Sequence, residues 1–267
     1  MFNALGLYGH YISISFRSQM QYRASFLMLS FGHFLITGIE FVAIAALFDR
    51  FGQISGWQLP EIAMLYVIVN TAFALSDAMS RGFDVFGNMV KSGDFDRLLL
   101  RPRSTALQLA GQEFTLRRVG RLAQSVLVFL WANSHVEIVW SADKIALFAL
   151  AIVGGACFFF ALMVIQATVA FWTTESLELM NTMTYGGVQT AQYPLSIYRA
   201  WFRKFFTYAV PLASVSYYPG LALLGREDPY GSPALFHHLA PLIGILFLVL
   251  AFQIWKIGVR HYRSTGS

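Results

Sequence analysis

Long uninterrupted apolar stretches constrain this chain more than any motif in it. Windows at 24–48, 60–80, 113–133, 143–170 and 238–258 are each mostly apolar. A hydrocarbon core about 30 Å thick takes roughly 20 helical residues to cross, and every window is long enough. With 57% of its 267 residues apolar and 16% aromatic, the chain carries more apolar surface than one soluble core of this size hides. The reading is an all-α polytopic membrane protein, a single transmembrane domain over 1–267. The region 175–224 supplies one further crossing. It contains a polar stretch without charge between Glu178 and Arg199 and an apolar run at 205–224, and either could cross. One crossing there makes six spans and leaves both chain ends on the same side.

Basic residues choose that side, because segments rich in Lys and Arg stay in the cytoplasm. With the ends inside, Arg17, Arg23, Arg81, Lys91, Arg97, Arg101, Arg103, Arg117, Arg118, Arg121, Lys256, Arg260 and Arg263 lie on the cytoplasmic side. Arg50, Lys144 and Arg226 lie outside, and Arg199, Arg203 and Lys204 depend on which stretch crosses. Basic membrane edges also account for the net charge of +5, so nucleic acid is not needed as a partner. The start, "MFNALGLYGHYISISFRSQM", lacks the pattern of a removable signal peptide. Over 1–22, Leu5, Tyr8, Ile12 and Phe16 share one helical side and His10, Ser13, Arg17 and Gln21 the other, as in a helix lying in the membrane interface. The single cysteine, Cys157, excludes an internal disulfide and reads as a packing residue.

The usual enzyme motifs are missing: there is no phosphate loop, dinucleotide fingerprint, zinc-protease motif or nucleophile elbow. Without a phosphate loop the chain needs an external motor for any ATP-driven work. Polar residues inside the spans are expensive and face a partner or a cavity. In the first span Ser30, His33, Thr37 and Glu40 form one inward stripe. It reads as packing against a neighbouring helix or, less blandly, as a titrating face with His33 and Glu40 active. In the second, Tyr66, Asn70, Asp77 and Arg81 form a row, with Asp77 and Arg81 spaced as an i,i+4 ion pair. Arg117, Arg118 and Arg121 open the third span at the inner interface, where snorkelling to lipid head groups is expected.

Between the second and third spans, "KSGDFDRLLLRPRS" concentrates charge in a chain that is 12% charged overall. Just before it Phe83, Phe86 and Val90 fall at helical spacing, giving a short helix with one apolar edge and a stop at Gly93. Then come Asp94, Asp96, Arg97 and an elbow at Arg101-Pro102-Arg103, where the proline bars helix continuation. The segment 81–104 reads as a cytoplasmic docking surface.

The stretches "GDFDRLLLRPRS", "YGGVQTAQYPLSIYRAWFRKFFTYAVPLASVSYYPGLALLG" and the terminal "YRSTGS" together resemble the type-2 ABC transporter permeases of the six-span, exporter-like subfamily. The resemblance covers essentially the whole chain. It implies a permease subunit of type V exporter architecture, in which a coupling helix (81–91 here, with 94–103 as its elbow) docks on a separate ATPase dimer. That ATPase would hold ATP and Mg; this chain would hold no cofactor or metal. The resemblance also implies a second, related permease as partner in a heterodimer, a bacterial inner-membrane location, and a fifth span at 176–197 followed by a re-entrant outer element at 199–224. Asn70, Asn181, Thr184, Gln189 and Gln192 would then face the path, with His33 and Glu40. An amphipathic, lipid-like or peptide substrate suits walls with 25 phenylalanines. The competing expectations are a lipid-modifying enzyme using His33 and Glu40, and a non-transporting scaffold.

Overall fold

Apolar helix-forming runs separated by Gly, Pro and charged turns fold into thirteen helices among the described residues of the computed structural model, which are 4–112, 114–173 and 177–263. They are α1 (Ala4–Gln21), α2 (Arg23–Phe51), α3 (Leu59–Asp84), α4 (Phe86–Lys91), α5 (Phe95–Leu99), α6 (Thr105–Gln112), α7 (Val119–Asn133), α8 (Ala142–Val169), α9 (Leu177–Ala191), α10 (Ala200–Lys204), α11 (Tyr217–Leu224), α12 (Ala234–Leu239) and α13 (Pro241–His261). Four stretches are long and apolar enough to cross a bilayer: α2, α3 continued through α4, α8 and α13. The chain is therefore a multi-pass, all-helical membrane protein.

Helix α3 is the centre of the bundle. Ile62 through Asn70 are buried almost without interruption, so its surface is covered all round, by α8 on one side and α7 on another. Its start is held by the Gln58 N–H, which donates to Glu61 Oε2 at 2.8 Å, with Pro60 in the first turn. Helix α2 contrasts with it. The stripe Ser30, His33, Thr37, Glu40 faces inward, whereas Met28, Phe31, Leu35, Ile39 and Val42 are exposed and available to lipid or a partner chain.

Because lipid tails are as apolar as leucine, helices in a bilayer associate through close backbone approach at small residues. At the α8–α13 seam a Cβ added to Gly244 would stand 2.1 Å from the Gly154 carbonyl oxygen. At the α2–α7 seam one added to Gly120 would stand 1.7 Å from the Ser30 carbonyl oxygen.

The expected third span, 113–133, is broken. A 3₁₀ turn over Leu116–Arg118 precedes α7, a helix of 15 residues whose exposed apolar face is Val119, Val126, Leu127 and Leu130. Helix α9 is also 15 residues long. Beyond Pro194 the chain passes through α10 and a π-helical turn over Phe205–Ala209. It then returns inward: Val215 packs against Gly155, which also touches Ala72 in the middle of α3. From there α11 runs back until Arg226 reaches Glu61 (3.0 Å), the Gly56 carbonyl (2.7 Å) and the face of Trp57. The apolar run 205–224 is thus no single continuous helix. Beside this clasp, Asp228 accepts from Tyr217 Oη (2.9 Å), and Ser232 Oγ lies 2.5 Å from Asp228 Oδ2 and 2.6 Å from His237 Nε2.

Candidate functional site: a charge cluster and an exposed knob

Three helices bring their polar stripes together inside the bundle. Arg118 Nε donates to Asp77 Oδ2, and its Nη1 lies 3.3 Å from His33 Nδ1. Arg121 Nη1 donates to Asn70 Oδ1 at 3.2 Å. Tyr66 Oη donates to the Thr37 carbonyl (2.8 Å) or to Gln124 Oε1 (3.1 Å). Phe73 lies under both guanidinium groups, 5.0 Å from Arg121 and 6.0 Å from Arg118. Glu40 acts electrostatically on Tyr66 and Arg121, and its Oε2 is buried without a hydrogen-bond partner. Two arginines against two carboxylates leave the cluster balanced, the condition under which buried ions are tolerable.

This corrects two expectations. Arg118 and Arg121 do not snorkel to head groups: both are 8% exposed and turn inward, because carboxylate and amide partners wait there. Asp77 does not pair with Arg81 one turn away. It takes Arg118, while Arg81 donates to Asp84. The side chains of Arg117 and Asn181 lie outside the described residues. His33 and Glu40 are seven residues apart, about 10 Å along the helix, so they form no acid–base pair with each other. Of the other polar residues expected along a path, Asn70 is inside the cluster. Gln189 is exposed on α9 with Tyr185 and Gly186, and Gln192 is buried with neither amide atom paired.

The 81–104 segment divides its buried and exposed faces opposite to expectation. Phe83, Phe86 and Val90 do share one edge, but it faces the bundle, so the 81–91 stretch does not offer it outward. Phe86 packs edge-on against Phe95 (5.0 Å), Trp255 (5.1 Å) and Phe171 (5.2 Å), and Phe95 against Tyr262 (4.9 Å). These rings anchor α4 and α5 to the ends of α8 and α13. At Gly93 (φ +73°) the chain turns, a conformation that suits glycine. What it then presents is a knob: Asp94, Arg97, Leu99, Leu100, Arg101 and Arg103 are exposed, Asp96 is half-buried, and Leu100 at the tip is 85% exposed. Leu100 is the functional candidate that periodicity missed. Within "LLL" the first leucine is buried and the third is not, because two residues along a helical turn point to opposite sides.

Knob and cluster are joined by a short chain of contacts. Gln108 Nε2 of α6 donates to the carbonyls of Leu98 and Arg103, both at 3.2 Å. The far end of α6 leads to Thr115, whose N–H donates to the Ala78 carbonyl of α3 at 3.2 Å, and then to Arg118. Gln19 of α1 clamps the same turn, accepting from the Leu116 N–H (2.9 Å) and donating to the Phe114 carbonyl (2.5 Å).

No curated protein and no solved structure matches the chain. The family model for ABC-2 family transporter proteins does match, over residues 34–266, a stretch that contains the knob and all of the charge cluster but His33. The chain belongs to the ABC-2 family of transporter proteins, as a membrane transport component that partners an ABC ATPase.

Proposed function

We propose that this protein is the permease subunit of an ABC exporter and receives the ATPase stroke at the 94–103 knob. The observation that carries the reading is Leu100, an apolar tip exposed among charges on a cytoplasmic turn held rigidly by aromatic rings. An exposed apolar residue ringed by charge fits a groove on a partner protein. Asp94, Arg97 and Arg101 orient the docking, with Asp96 behind them. Phe83, Phe86 and Val90 transmit rather than touch, by fixing the knob to the ends of the spans. Closure of the ATPase dimer, which binds ATP and Mg, displaces the knob; α6 carries the displacement to Arg118 and Asp77, where three spans meet.

In this reading the protein crosses a bacterial inner membrane six times with both ends cytoplasmic. The crossings at 113–133 and 176–197 contain the short helices α7 and α9, and 199–224 is a re-entrant outer element. Its inner part, Leu212 to Leu221, is buried by protein, the setting in which broken backbone at that depth is tolerated. The exposed polar face of α9, with Gln189, borders the path at the seam with a second, related permease, and the cargo is amphipathic.

The test is purification from membranes through a tag on this chain, followed by assay for bound ATPase. Leu100→Asp combined with Asp94→Lys should insert and remain monodisperse while retained ATPase falls at least tenfold. Undiminished ATPase in that variant would remove the docking assignment.

A further inference from the structure

A groove at the last turns of α13 lies beside the coupling route rather than in it. Met79 of α3, Leu107 and Ala110 of α6, Phe160 of α8 and Phe252 and Trp255 of α13 are among the residues that enclose its roughly 660 Å³. Its walls are apolar, but its mouth is not: Lys256 and Arg260 stand one turn apart beside it. Arg260 has no ion pair among the described residues, and Lys256 Nζ meets only Gln253 Oε1, at 3.3 Å. The Tyr8 hydroxyl of α1 also reaches the groove, buried and without a hydrogen-bond partner.

We propose that the groove holds an acyl chain of an anionic inner-leaflet phospholipid, with its phosphate on Lys256 and Arg260. Three observations support that occupant. The two cations are uncompensated by protein and sit where α13 leaves the hydrocarbon, so they complement a negative head group. From Arg260 to Phe252 is eight residues, about 12 Å of helix, close to the depth of one leaflet of a bilayer core about 30 Å thick. The lining along that length is mostly apolar, and it carries an unsatisfied Tyr8 hydroxyl that an ester oxygen would satisfy. Since α6 forms one wall and also carries the knob's displacement, a lipid wedged between α6 and α13 sets how freely α6 moves. The leaflet named here rests on the six-crossing topology; the groove and its cationic mouth do not.

The experiment uses the full chain purified in mixed micelles with phosphatidylglycerol bearing a photoactivatable group midway along one acyl chain. Adducts are mapped by mass spectrometry. They should concentrate on peptides containing Leu107, Ala110 or Phe252, and unlabelled phosphatidylglycerol should compete about tenfold better than phosphatidylcholine. Lys256→Glu with Arg260→Glu, both at the surface, should abolish that preference, and Ala110→Trp should remove the adducts by filling the groove. If Ala110→Trp fails to fold, judged by its elution and thermal unfolding, the surface double variant decides alone. Groove labelling no greater than that of the exposed face of α2, equal competition by phosphatidylcholine, or a double variant that labels normally would each overturn the proposal. So would a disulfide between two chains bearing Ala110→Cys, which would show a second copy in the groove. Failure of the topology appears separately, in the cysteine labelling described below.

Discussion

Removing the Asp77 carboxylate would leave the Arg118 guanidinium buried against His33 and the Phe73 ring without the carboxylate it is bonded to. Breaking a buried pair from one side costs about 3–5 kcal/mol, so Asp77→Ala should lower the thermal unfolding midpoint in detergent sharply. Replacing both partners by leucine and methionine should recover much of the loss, and equal midpoints for the single and double variants would refute the pairing. The sequence identified the ingredients here but not the partners. Spacing along one helix suggests Arg81 for Asp77, whereas the true partner comes from 41 residues away, on another element. A second residue-scale expectation concerns His237, whose pKa burial pushes below the ordinary value, against an opposing pull from Asp228 and with His238 adding to the lowering. A histidine held neutral in the fold costs stability when it must charge, so the folded state binds fewer protons than the unfolded one. Stability should therefore fall as pH drops below about 6.5 toward the lowered value, and His237→Gln should flatten that slope in a pH-dependent melt.

At the scale of elements, the apolar edge of 83–90 was legible from periodicity, but periodicity does not say whether an edge faces a partner or the protein's own core. The direction was decided by Trp255 and Phe171, which arrive from the ends of two other helices and cover Phe86. Phe86→Ala should consequently cost about 3–5 kcal/mol, measured by unfolding, while Leu100→Ala changes the unfolding free energy by less than about 0.5 kcal/mol. The opposite ranking would restore the 81–91 stretch as the exposed docking edge. The glycine seams carry a similar expectation. Gly244→Leu cannot be accommodated between α8 and α13 without separating their backbones, so it should destabilise by about 1–3 kcal/mol or more, or abolish recovery of folded protein.

For the molecule as a whole, four crossings were readable from length and hydropathy because α2, α3, α8 and α13 satisfy both without help. The two further crossings we propose are harder to read for a physical reason: α7 and α9 are only 15 residues long, and the turn before α7 is held by Gln19 and by the Ala78 carbonyl, information that a hydropathy window does not contain. The proposed topology predicts that Lys204→Cys, in a chain with Cys157→Ser, reacts with an impermeant thiol reagent from outside intact cells. Protection there, with reaction only after permeabilisation, would place Lys204 in the cytoplasm instead. A membrane must also meet the short face of α7. From Val119 to Leu130 its exposed apolar stripe rises about 17 Å, little more than half of a hydrocarbon core about 30 Å thick. Hydrophobic mismatch of that size strains the adjoining lipids unless the bilayer pinches, so this transporter should carry its own thinned sector on one flank and work less well in membranes of long, stiff acyl chains.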